Sequence, residues 1–263
     1  MKIKKILAGL IVLIFIWFIL SFVNGFMGNP ISKLIVNQAA QKYVEQNYPD
    51  LNLELNKAIY NFKDGKYYVA VKSKTSIDTH FSIGFTGMGK QISDNYKSVV
   101  LEKFNTWERL NESYCQLLDS FVENDFPYES EIFFGEILDK SQNFAELELD
   151  KEYDIQEIAR EKGHIVLYIT SNTLNEDNLT KTLFEVKTLF DQKQIPFYSI
   201  DLTLQAPLSE KKSGRESIQI ENFLYQDIYE DGLSTRVQEN IDKTKKYYEQ
   251  MDKEKQAEID LVE

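Results

Sequence analysis

Residues Ile6 to Val23 (ILAGLIVLIFIWFILSFV) carry no charge and lie directly behind Lys2, Lys4 and Lys5. At about 1.5 Å rise per residue the run spans roughly 27 Å as a helix, against ~30 Å of bilayer hydrocarbon. Gly25, Phe26 and Met27 can extend it. A cleaved secretory signal has a shorter apolar region, about 7–15 residues, and ends in a small-x-small site. Here that end is bulky: Trp17, Phe18, Phe22 and Phe26 suit an interfacial aromatic belt, and Val23-Asn24-Gly25 is a poor cleavage site. A lipoprotein would need a cysteine straight after the run, and the only cysteine is Cys115. The reading is an uncleaved anchor crossing the bilayer once within residues 6–27. Only Lys33 and Lys42 follow closely, so the positive-inside rule expects a cytoplasmic N-terminus and an extracytoplasmic body.

Without the three lysines of the anchor, 27 basic residues stand against 42 acidic ones, a net charge of −15 outside the bilayer. That surface repels phosphate backbones. The densest basic stretch, Lys243-Thr244-Lys245-Lys246, is flanked by acids, so nucleic-acid binding is excluded on charge, and anionic headgroups are disfavoured on the same average. A single cysteine forms no intrachain disulfide, so an exported body depends on its core. With 15 Tyr and 17 Phe, that core is expected to be aromatic.

Hydropathy patterning divides the body in two and gives an α+β class. The anchor takes 1–28. A first α-β-β-β-α unit takes 29–126: a helix from Pro30 to Tyr48, one strand that alternates at Leu51, Leu53 and Leu55 and continues through Ile59–Phe62, and a two-residue hairpin turn at Asp64-Gly65. Strands from Lys66 and through Phe81–Phe85 follow. Asp94 then caps a long helix whose stripe (Tyr96, Val100, Phe104, Trp107, Tyr114, Leu118, Phe121) is expected to cover that sheet. The second unit, 127–232, reads as a mixed sheet with helices: strands at Glu131–Leu138, His164–Thr170, Pro196–Leu204 and Ser217–Phe223, and helices from Ile155 and Asn175. His164–Thr170 is nearly continuously apolar and so central. The strand–helix–strand passage through 170–196 predicts a parallel pair. Residues 233–263 read as a charged helix with a thin apolar line, free to project past the body.

Candidate chemistry is sparse. Gly84 to Lys90 fits the GxxxxGK spacing of a phosphate loop, but Gln91 stands where the Mg²⁺-holding hydroxyl belongs and the βαβ context is missing, so a flexible loop is expected. Ser76, Asp78 and His80 recur at period two on one strand face. Neighbours at i and i+2 stand about 6.5–7 Å apart, too far for a working triad. Two histidines and no cysteine pair make a dedicated zinc site weak, and no cofactor is expected. His164 reads as a satisfied structural histidine. Scattered carboxylates such as Glu129, Glu131, Glu136 and Asp150 lack an apolar pocket of the kind glycoside chemistry needs.

Gly28-Asn29-Pro30-Ile31-Ser32-Lys33, the block from Tyr67-Tyr68 through Lys72-Ser73 to Ser76-Ile77-Asp78-Thr79-His80-Phe81, and Asn105-Thr106-Trp107-Glu108-Arg109-Leu110 resemble the YfjL-like proteins. The resemblance extends over nearly the whole chain. It implies a membrane-anchored architecture in Gram-positive bacteria and carries no activity to any residue. The expected function is a non-enzymatic binding or interaction module at the cell envelope. Its contact surface for a protein partner is Lys72, Lys74, Ser76, Asp78 and His80. An envelope hydrolase near Asp78 and His80, or an accessory subunit of a membrane complex, are the alternatives.

Overall fold

In the computed structural model, which describes residues 2–137, 144–208 and 215–260, the apolar run folds as one helix, α1 (Lys2–Met27). It is the one helix among the described residues long and apolar enough to cross a membrane. Its large side chains lie bare: Phe15, Trp17 and Met27 are each more than three-fifths exposed. Gly28 turns left-handed at φ +72, and Asn29 caps the next helix, α2 (Pro30–Asn47), by accepting the Ile31 amide at 2.8 Å. Pro30 opens that helix, where its missing N–H would have no partner. Of the expected elements, the polar loop 209–214 and the ends at Leu138 and Val262 lie outside the described residues.

Compactness groups Met1–Thr106 with Phe144–Lys151, and Trp107–Asn143 with Glu152–Glu263, where the sequence expects a division at 126/127. In the first unit, β1 (Leu53–Leu55), β2 (Ile59–Asn61), β3 (Lys66–Ser73), β4 (His80–Phe85) and β5 (Gln91–Asp94) form an antiparallel sheet. Its order is β1-β3-β4-β5, with β2 also paired to β3. Alternation along β3 and β4 sends Tyr67, Val69, Val71, Phe81, Ile83 and Phe85 to one face, where Val36, Ala40 and Val44 of α2 bury them.

Three local expectations change here. The β2–β3 connection is a four-residue turn, 62–65, because the side chains of Asn61 and Asp64 accept the amides of Lys63 and Lys66 at 3.1 and 3.0 Å and stabilise the longer loop. The GxxxxGK stretch closes a hairpin: the Thr86 and Gly89 amides bond Lys90 and Thr86 carbonyls, and Gln91 starts β5; with the Leu51–Phe62 strand divided into β1 and β2, the sheet has five strands where three are expected. The long helix is interrupted. Lys97–Leu101 make a π-turn, Lys103 goes left-handed at φ 62, and α3 runs only from Phe104 to Asp125.

The stripe of α3 serves the second unit, not the first sheet: Tyr114, Leu118 and Phe121 belong to its core. There β6 (Ser130–Ile137), β7 (Gly163–Thr170), β8 (Ser199–Gln205) and β9 (Ser217–Leu224) lie in sequence order, with β7 and β8 parallel and the outer pairs antiparallel. The helix α4 (Ile155–Lys162) precedes β7, and α5 (Glu176–Lys193) makes the crossover between the parallel strands. Gly135 is required by close approach, since a Cβ there would come within 2.1 Å of Leu118 Cδ1. The last helix, α6 (Leu233–Asp260), does not simply project. Leu233 and Val237 are buried, Asn240 bonds both the amide and the carbonyl of Glu221, and the Tyr248 hydroxyl donates to the Glu221 carboxylate at 2.8 Å.

Candidate functional site

The residues singled out in the first unit do not form one polar strand face. β3 ends at Ser73 and β4 starts at His80, so 74–79 is a bend. Lys72 pairs in register with His80, and both are exposed, as is Lys74; Ser76 is half-buried. Asp78 is only 1% exposed. Its carboxylate accepts from the Thr106 hydroxyl at 2.9 Å and the Asp150 amide at 2.8 Å, while its own amide donates to the Asp150 carboxylate at 3.0 Å. Ser76 Oγ donates to the same Asp150 oxygen, and the Asn105 side-chain amide donates to the carbonyls of Asp78 and His80. Two aspartates thus cap each other's backbone and clasp Phe144–Lys151 onto the first unit. A buried carboxylate held by such donors is a fastening. The exposed remainder of the expected surface is Lys72, Lys74 and His80; the Lys72–Glu54 pair at 3.7 Å is solvated and weak.

A Ser–His–Asp set that period-two reading along one strand missed does form in the second unit. His164 and Ser199 are register partners on the parallel strands, with Nδ1 2.8 Å from the serine Oγ, and Nε2 lies 3.3 Å from Asp201 Oδ2. Asp201 also accepts the Asn222 amide at 2.6 Å, at a bulge where Asn222 takes φ 49. The sequence signal was Ser199-x-Asp201 beside a histidine that opens the preceding parallel strand. Ser199 and His164 are 2% and 5% exposed, so no substrate carbonyl reaches the hydroxyl. The set satisfies polar groups in a buried strand pair, as expected for a structural histidine.

A recess of about 430 Å³ opens elsewhere in the same unit. Its floor is Phe190, Ile195 and Phe197, all buried, continued by the Tyr225 ring, which meets Phe197 edge-on at 5.1 Å. Gln156 and Arg160 of α4 form one rim; Asp191 and Gln194 form the other. Gln194 ends α5 in the left-handed region at φ 56, which turns the chain sharply into Ile195 and Pro196, and the Tyr114 hydroxyl holds the Pro196 carbonyl at 3.1 Å. Asp191 is already matched: it accepts from the Tyr225 hydroxyl at 2.7 Å and from Lys187 at 2.7 Å. Burial pushes the Lys187 ammonium pKa down, but the bonds to Asp191 and Tyr225 outweigh it and leave it above the usual range. Arg160 is exposed and forms no hydrogen bond or ion pair among the described residues. The recess therefore offers an aromatic floor and one uncommitted cation.

Cys115 is no nucleophile in this setting. Its thiol donates to the Gly135 carbonyl at 3.2 Å, and burial, with Asp119 and Glu136 nearby, pushes its pKa up. Among the described residues no group of three or more His, Cys, Asp or Glu side chains is gathered for a metal ion.

An apolar N-terminal helix, an antiparallel sheet backed by one helix, and a separate mixed sheet define a two-unit α+β protein. Comparison with protein families assigns both units: residues 3–96 match the YfjL-like N-terminal domain, and residues 113–238 match the YfjL-like C-terminal domain. The chain belongs to the YfjL-like family. Among curated proteins and among solved structures nothing matches.

Proposed function

We propose that this chain is a single-pass membrane protein whose body is extracytoplasmic and works as a binding module without catalysis of its own. The observation that carries the reading is the recess in the second unit. Its volume lies within the ~300–1,000 Å³ of small-ligand sites, and its apolar floor with one polar anchor is the usual composition of such sites. The ligand chemistry is an aromatic or branched apolar group carrying a carboxylate, with the apolar part over Phe190, Phe197 and Tyr225 and the anion at Arg160. The exposed Lys72, Lys74 and His80 serve as the contact for a protein partner. The anchor reading rests on the length and bare apolar surface of α1, and the orientation on the lysines before it.

N-acetylphenylalanine and its amide are the probes. Titrated by NMR into the full chain in detergent micelles, the acid is expected to bind several-fold more tightly than the amide, and Arg160→Gln to abolish the difference. Equal binding of acid and amide, or no binding at all, refutes the recess as the site. Protease shaving of intact cells tests orientation: a body that stays protected refutes the outward assignment.

A further inference from the structure

The acidic average of the chain conceals a basic, apolar end. Tyr67 pairs with Phe85, so the turn 62–65 before β3 and the turn 86–90 after β4 lie at the same end of the first sheet. The α1–α2 junction is at that end too. A Cβ on Gly28 would meet Tyr60 Cγ at 2.5 Å, the Asn29 amide donates to the Tyr67 hydroxyl at 2.8 Å, and the rings of Phe26 and Phe62 are 5.9 Å apart. The second turn packs on α2: added Cβ atoms at Gly87 and Gly89 would meet Ser32 Oγ at 3.1 Å and Ile35 Cγ2 at 3.0 Å.

This end bares large apolar side chains: Phe62 is 58% exposed, Met88 83%, Ile31 67% and Leu34 65%. Between them stand Lys33, Lys63, Lys66 and Lys90, none of which forms an ion pair among the described residues. The acid in the two turns, Asp64, is occupied by the Tyr68 hydroxyl at 2.6 Å and the Lys66 amide at 3.0 Å. Apolar side chains projecting where an apolar helix leaves the body, ringed by lysines, match a surface that sits about 5–10 Å into the headgroup boundary. Lysines there attract anionic lipid, and their stems reach along the apolar surface.

We infer that this end of the first unit is a lipid-binding collar: Phe62, Met88, Ile31 and Leu34 enter the interface around the exit of α1, and Lys33, Lys63, Lys66 and Lys90 hold anionic headgroups. The inference rests on α1 being a membrane anchor, and its test separates the two. In a Cys115→Ser background, the full chain carrying Ile14→Cys, Phe62→Cys, Met88→Cys or Lys74→Cys is labelled with an environment-sensitive dye. Each variant is then reconstituted into vesicles of phosphatidylcholine alone or with phosphatidylglycerol. Lipid-borne nitroxide is expected to quench positions 62 and 88 about threefold more than position 74, and more in anionic vesicles. Replacing the four lysines by Gln is expected to remove that anionic excess.

Quenching at 14 without quenching at 62 and 88 overturns the collar and leaves the anchor standing. No lipid quenching at 14 overturns the anchor, and the collar with it. Labels at 62 and 88 shielded from lipid nitroxide and aqueous iodide alike in native membranes would mean a protein covers this end, which also overturns the inference.

Discussion

Asp78→Ala is the sharpest test of how the first unit is held together. The substitution removes a carboxylate that is 1% exposed and accepts from the Thr106 hydroxyl and the Asp150 amide. Each charge-assisted bond contributes about 1.5–3 kcal/mol, and the Thr106 hydroxyl is left buried without its acceptor. Relief from desolvating the carboxylate offsets part of this, so a net loss of about 3 kcal/mol is expected. Asp78→Asn keeps the shape and an acceptor oxygen and is expected to lose about half as much. The loss is local: Phe144–Lys151 is tied to the first unit through Asp150 and through the Leu147 carbonyl, which accepts from Lys103 at 2.9 Å. Hydrogen exchange followed by mass spectrometry, on the detergent-solubilised full chain, reads both effects. Protection of 144–151 and of β4 should fall by roughly two orders of magnitude, since each 1.4 kcal/mol is tenfold. A change below about 0.5 kcal/mol, or unaltered protection of 144–151, would refute the clasp.

Two further outcomes follow from ionisable groups. The hydroxyls of Tyr43 and Tyr48 both donate to Asp94 Oδ2, at 3.0 and 2.6 Å; burial first, then that bond and the carboxylate charge, push Tyr43 up to about 12 and Tyr48 higher still. The fold favours the protonated form, so this contribution is complete below the ordinary tyrosine value of ~10 and is lost as pH climbs through about 12. Urea midpoints measured from pH 9 to 12 should fall across that window in wild type and less steeply in Asp94→Asn; parallel curves would count against it. Cys115 should react with iodoacetamide far more slowly than a free thiol at pH 8 and speed up only on unfolding. Reaction at the rate of cysteine itself would disprove the burial argument.

The second unit was legible because its cues are local and strong. A continuous apolar strand, a capped helix with Asn175 accepting the Asn178 amide at 2.9 Å, and a second β-rich run leave little choice but a parallel pair joined by α5. The first unit was read less well where tertiary contacts decide. Asp94 reads as the cap of a long helix, and its Oδ1 does accept the Tyr96 amide at 2.9 Å; but Tyr43 of α2 and Tyr48 just after it bind the other oxygen, and the helical run that follows is broken by the π-turn. The period of 94–124 is helical throughout, and only a left-handed Lys103 reveals that one stripe serves two cores. Asp78 and His80 looked equivalent as polar neighbours. The partner that separates them, Asp150, lies 72 residues away. The recess was invisible for the same reason, since α4, the end of α5 and Tyr225 meet only after folding.

The junction between α1 and α2 has two residues, one sealed against Tyr60 and the other bonded to both Tyr67 and Ile31. A flexible linker of n residues lets its cargo wander roughly 5–6 Å × √n, so a twenty-residue stalk would sweep about 25 Å. This connection grants no such sweep. If α1 lies in a bilayer, as proposed, the first unit turns when the helix turns, and any molecule it binds has to come close to the lipid surface. Encounters there are set by diffusion in the plane of the membrane and by rotation about its normal. A glycine- and serine-rich insertion between Met27 and Asn29 would change the range over which this protein searches without altering a single contact residue.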